Sequence, residues 1–177
     1  MNRHWRALCA GERRAGSAGE AAAARYCVEQ FNALGLANVH CEPFPCVSVR
    51  RASVKLTIGG KAIPARAITG APGTKPIDTD LVWIEMPEQA RKLNRSVTGK
   101  VVALFGPLPT DAGLHRRLVA CKPAAVIHVD DRLPFDWVKD DGIYPAWARR
   151  YGMSPTITIP YRQAWKLRLA GANRVRL

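Results

Sequence analysis

The chain has no apolar run approaching the roughly 20 residues that a membrane-spanning helix needs, so no transmembrane segment is expected. Its opening, Met1-Asn-Arg-His-Trp-Arg6, lacks the apolar core of a signal peptide. The expectation is a cytoplasmic protein, or one whose leader has been removed. Cysteine is sparse and odd in number (Cys9, Cys27, Cys41, Cys46 and Cys121), and no two are spaced C-x-x-C. A disulfide framework or zinc ribbon is therefore disfavoured, and reduced thiols are expected. Only Cys41 and Cys46 lie close enough in sequence to be weighed as a bridge or ligand pair. There is no phosphate-binding G-x-x-x-x-G-K-[ST] loop, dinucleotide fingerprint or G-x-S-x-G elbow. Histidine is limited to His4, His40, His115 and His128.

Positive charge is what the chain has in excess. The formal net charge is +13, carried by 19 Arg and 8 Lys. The arginines are scattered and form only doublets: Arg13-Arg14, Arg50-Arg51, Arg116-Arg117 and Arg149-Arg150. Without a sustained basic stripe or a known nucleic-acid motif, the charge points to unspecific attraction for acidic partners rather than to nucleic-acid recognition. The 47% hydrophobic content of 177 residues suits a packed core and argues against disorder.

Ser17 and Glu20 form an S-x-x-E capping box, in which the hydroxyl accepts from the Glu20 amide and the carboxylate reaches back to the Ser17 amide. Glu20 also complements the helix dipole. A helix is predicted over 18–34, with Ala24, Cys27, Val28, Phe31 and Leu34 as one buried stripe and Gly35 as its stop.

Beyond it, Asn38-Val-His-Cys-Glu-Pro-Phe44 reads as an extended connection. Val47 and Val49, then Val54, Leu56 and Ile58, alternate as strand residues do, and Gly59-Gly60 marks a two-residue hairpin. Residues 64–80 read as loop with one short strand at 65–69. Strands are predicted at 81–86, 100–105, 124–129 and 155–160, and helices at 111–121 and 161–170, with Gly171 ending the second. Leu114, Leu118 and Cys121 share one face of the first helix, and Ala164, Leu167 and Trp165 are candidates to face inward in the second. The strand, helix, strand succession from 100 to 129 suggests a parallel, right-handed crossover. Residues 131–153 read as a long aromatic loop, and 175–177 as an extended segment.

Two blocks resemble one family. Glu12-Arg-x-Ala-Gly-Ser-x-Gly-Glu20, Leu34-Gly-Leu36 and Val39-x-x-Glu-Pro-Phe44 look like the N-terminal segment of di-zinc aminopeptidases of the glutamate-carboxypeptidase-like group. Residues from about 50 onward resemble the protease-associated domain inserted in many members. Gly99-Lys-Val-Val-Ala-Leu104, Ala124-Ala-Val-Ile127 and Pro155-Thr-Ile-Thr-Ile-Pro160 carry that resemblance. It implies an α/β protein: a helical segment over 1–45, then a protease-associated-like domain over 46–177 with a mixed sheet and few helices.

In the resembling enzymes the zinc ligands lie mainly after this insert: His-x-Asp, Glu-Glu, a further acid and a final His. The local match, His128-Val-Asp130, has no later histidine or glutamate to complete a di-zinc set, so His128 and Asp130 are weak metal candidates. Asp130, Asp131, Asp136, Asp140 and Asp141 lack EF-hand spacing and read as a solvated acidic loop rather than a Ca²⁺ site. Ser17 has no paired base, and capping accounts for it.

The resemblance thus implies no catalytic or metal residue in this chain, with zinc expected only in a separate catalytic domain. An interaction surface is the better functional candidate: Phe135, Trp137, Tyr144, Trp147, Arg149, Arg150 and Tyr151, aromatics flanked by arginine. The alternative is that these aromatics fill the loop's own small core. The leading function is a non-catalytic accessory region of a zinc aminopeptidase relative, governing substrate access or binding a peptide or protein. Its partner is then a peptide, another protein, a separate catalytic domain or a second copy, with no membrane. Two rivals are part of an active zinc aminopeptidase whose metal-binding domain is absent here, and a basic module for polyanions or nucleic acid.

Overall fold

The computed structural model describes residues 2–11, 13–46, 53–85, 87–106, 112–129 and 146–177. The predicted strand at Val47 and Val49 falls outside them. The chain divides into two compact units, Met1–Arg50 and Arg51–Leu177.

The first unit holds α1 (Asn2–Leu8) and α2 (Ala18–Ala33). The Ser17 hydroxyl caps α2, accepting from the Glu20 amide at 3.2 Å. The return bond differs from the expected box. Glu20 Oε2 accepts from Gly16 N at 2.5 Å, because the Ser17 amide is already turned onto the Arg14 carbonyl at 2.9 Å. Gly35, at φ 77°, ends the helix in a Schellman motif: its amide reaches Asn32 O at 2.9 Å, and that of Leu36 reaches Phe31 O at 3.2 Å.

The expected buried stripe is not buried. Phe31 is 48% and Leu34 76% exposed, while Ala24, Cys27 and Val28 are half-buried. The short α1, which the sequence did not announce, meets a different face of α2. Ala7 and Leu8 oppose Gly19, Ala22, Ala23 and Tyr26 across a cleft of about 400 Å³. His4 Nδ1 lies 2.9 Å from the Tyr26 hydroxyl.

The second unit is α/β. Among the described residues its sheet has eight strands: β1 (Thr57–Ile58), β2 (Lys61–Ala62), β3 (Arg66–Ala67), β4 (Asp78–Ile84), β5 (Val101–Phe105), β6 (Ala125–Val129), β7 (Thr156–Thr158) and β8 (Arg174–Arg176). They run in the order β2-β1-β8-β4-β5-β6-β7-β3. The four from β4 to β7 are mutually parallel, and every other pairing is antiparallel. Gly59 and Gly60, at φ 55° and 78°, supply the two left-handed residues of the hairpin between β1 and β2.

The segment expected only to be extended at 175–177 is an interior strand. β8 sits between β1 and β4, where Asp78 faces Arg176 and Asp80 faces Arg174 in register. These opposite-charge cross-strand pairs close at 2.9 Å and 3.3 Å, and Arg174 also reaches Asp78 at 2.7 Å. Hydrogen bonds from Arg176, then Arg174, hold the Asp78 carboxyl below the usual carboxylate range.

Helices α3 (Pro87–Arg91), α4 (Ala112–Cys121), α5 (Ala146–Arg149) and α6 (Tyr161–Leu169) complete the unit. Alternation along the central strands divides the core in two. Val101, Ala103, Ala125 and Ile127 pack with the hairpin and with Ala164 and Leu167 of α6. Val102, Leu104 and Val126 pack on the other side, with Leu118 and Cys121 of α4 and Ala90 of α3. Helix α4 connects β5 to β6 as the predicted parallel crossover. All five cysteines are free thiols, Cys41 and Cys46 among the exposed ones. Among the described residues no helix is long and apolar enough to cross a membrane.

Candidate interaction face

Helix α4 buries His115, Leu118 and Cys121, one residue per turn, which turns Arg116 and Arg117 to solvent. His115 is a fully buried tie. Its Nε2 lies 3.1 Å from the Ala148 carbonyl oxygen and 2.9 Å from that of Gly152. Both partners are acceptors, so this nitrogen carries the proton. The Trp147 ring stands edge-on to the imidazole at 5.5 Å and 90°.

This contact accounts for α5, a four-residue helix lying within the stretch expected to be loop. So short a helix is not stable alone. Here Ala148 is fully buried with Ile68, and Ala71, Trp147 and Met153 pack around them. Trp147 therefore packs in a small local core shared with Ile68 and Ala71, which lie outside that stretch.

The residues that follow turn outward. Arg149 and Arg150 are exposed, and Tyr151 is 44% exposed. The Arg116 guanidinium lies over the Tyr151 ring, 5.3 Å from its centre, which joins the two arginine doublets. The Arg149 guanidinium passes beside Gly70 (φ +83°), where a Cβ would lie in van der Waals contact with it at 3.4 Å. Of the proposed surface, the structure thus brings together Trp147, Arg149, Arg150 and Tyr151 and adds Arg116 and Arg117. Phe135, Trp137 and Tyr144 lie outside the described residues, as do Asp130 and the rest of the acidic loop.

His128 is the penultimate residue of β6. It is fully buried, with Nε2 2.5 Å from the Gly106 carbonyl oxygen. Among the described residues, no three His, Cys, Asp or Glu side chains converge to hold a metal ion.

A second aromatic group went unread in the sequence. Trp83 of β4, Phe105 of β5, and Tyr161 and Trp165 of α6 form a cluster in which the Phe105 and Trp165 rings lie 4.6 Å apart, tilted by 40°. All four are half-buried. The Trp83 indole donates to the Ala172 carbonyl at 2.7 Å, and Arg168 of α6 pairs with Glu85. The i, i+4 spacing of Tyr161 and Trp165 was the available signal. The cluster fastens α6 to the sheet.

No family model matches the chain, and no curated protein matches it. Its fold does match solved structures. One is BSAP, a zinc aminopeptidase from Bacillus subtilis, with a TM-score of 0.67 at 16% identity over 99% of this chain and 41% of that one. Another is an aminopeptidase from Aneurinibacillus sp. strain AM-1, with a TM-score of 0.55 at 20% identity over 98% of this chain and 42% of that one. The chain has the fold of one part of these proteins and spans about two fifths of their length.

Proposed function

We propose that this chain acts as a non-catalytic accessory region of a zinc aminopeptidase relative, with a protease-associated-like domain that meets a peptide or protein through the α4–α5 face. The observation that carries the reading is the fold match, which spans nearly all of this chain and about two fifths of a zinc aminopeptidase. The α4–α5 face supports the interaction role, since it gathers arginines beside a half-exposed tyrosine, a combination enriched in protein interfaces. Zinc analysis and an aminoacyl-nitroanilide assay on the purified chain test the proposal. No turnover is expected, and stoichiometric zinc accompanied by turnover would overturn it.

A second reading makes the chain one part of an active enzyme whose metal-binding domain lies on other polypeptide. It is favoured by the apolar exposure of the first unit, where Phe31, Leu34, Leu36 and Phe44 are 48%, 76%, 54% and 76% exposed. Mixing the chain with a separately produced aminopeptidase catalytic domain distinguishes the two. Co-elution with gain of activity supports the second reading, and co-elution alone supports the first.

A further inference from the structure

We infer that the arginine doublets Arg116-Arg117 and Arg149-Arg150, joined over Tyr151, form a docking surface for an acidic peptide segment. The inference rests on reading the α4–α5 face as partner-facing and names the chemistry of the partner.

Three observations carry it. The first is proximity: the segments that carry the doublets, far apart in sequence, are drawn together where His115 ties α4 to the Ala148 and Gly152 carbonyls and the Arg116 guanidinium lies 5.3 Å from the centre of the Tyr151 ring. The second is an excess of positive charge among the described residues of this face. Neither 112–121 nor 146–154 contains Asp or Glu. The arginines that pair with carboxylates among the described residues are Arg168, Arg174 and Arg176, on other elements.

The third is preorganisation. Arg116 is held by the tyrosine ring and by Nε against the Ala112 carbonyl at 3.3 Å. The Arg149 guanidinium packs beside Gly70, where a Cβ would make ordinary contact with it at 3.4 Å. A guanidinium fixed in place loses less freedom on binding, and its planar fork matches a carboxylate bidentately. A half-exposed tyrosine among arginines is also the composition of a protein-binding surface. Nucleic acid would call for a longer basic track along the phosphates, and α4 carries only this pair.

The test uses the full chain and fluorescence anisotropy with a labelled oligo-glutamate peptide. Matched Gly-Ser and oligo-lysine peptides and an oligothymidylate of equal charge serve as comparisons. The R117Q/R150Q variant removes two exposed arginines and leaves the fixed pair. The K61Q/K166Q variant removes the same charge from exposed positions on β2 and α6. Saturable binding of oligo-glutamate is expected, weakened about tenfold in R117Q/R150Q and within about twofold of the unaltered chain in K61Q/K166Q.

Equal losses in both variants would reduce the effect to diffuse net charge and overturn the inference, as would absence of saturable binding. Oligothymidylate binding more tightly, with loss in R117Q/R150Q, would assign the surface to nucleic acid instead. Equal affinity for the Gly-Ser peptide would remove the acidic preference while keeping the face as a peptide site. Zinc-dependent turnover by the chain would remove the accessory reading and leave the measured peptide preference standing.

Discussion

His115 Nε2 lies 2.9 Å from the Gly152 carbonyl oxygen, 37 residues further along the chain, and 3.1 Å from that of Ala148. One imidazole thereby satisfies carbonyls on both sides of Tyr151 and fixes where the second arginine doublet emerges. His115→Leu keeps most of the volume and removes the donor. Its expected cost is about 1–3 kcal/mol, the penalty for stranding buried acceptors, read as a lower urea midpoint. An unchanged midpoint would show that α5 holds its place without the tie.

Asp78 provides a pH test. Its carboxyl is depressed in the folded state by Arg176 and Arg174, so its contribution is fully present above the unfolded-state value, near pH 4. It is lost as pH falls through the lower folded-state value. Asp78→Asn is therefore expected to melt below the unaltered protein at pH 6 and to approach it as pH drops below about 4. A constant gap between the two melting curves down to pH 2 would contradict this origin.

The β1–β2 turn distinguishes strain from crowding. Gly60 sits at φ 78° in open space, so Gly60→Ala should cost about 1 kcal/mol from backbone conformation alone. Gly59→Ala should cost more, because its new Cβ meets the Ala172 Cβ at 3.3 Å. Denaturant titrations of both variants check the order, and a reversal would mean the turn has changed type.

At the start of α2, Ser17→Ala removes the acceptor for the Glu20 amide and should cost about 1 kcal/mol of helix stability. Circular dichroism of a heating series reads this, and Ser17→Asp should largely restore the unaltered profile.

Local signals carried most of the element assignments. Gly59-Gly60 announced the hairpin, the apolar runs announced β5 and β6 with α4 between them, and Gly171 ended α6. Each rests on residues near one another in sequence. What the sequence hid is non-local. β8 has three residues, and its place between β1 and β4 depends on partners at Thr57 and Asp78. α5 depends on His115. The stripe from Ala24 to Leu34 shows the limit of periodicity: spacing identifies an apolar face but not what covers it. Likewise, Arg116-Arg117 and Arg149-Arg150 looked scattered until the Tyr151 ring joined them.

The position of β8 also has a kinetic meaning. Thr57 pairs with Arg176, and Ile58 with Val175, so the early hairpin reaches the parallel layer only through a strand made much later. Closing that long loop costs entropy before any pairing offsets it. The layer from β4 to β7 can assemble from neighbouring segments, while the β1–β2 hairpin waits for its seat. In refolding, the ladder that joins Thr57 to Arg176 is therefore expected to form late, and amide protection at Thr57 and Ile58 lagging that of β5 and β6 in pulse-labelled exchange would show it.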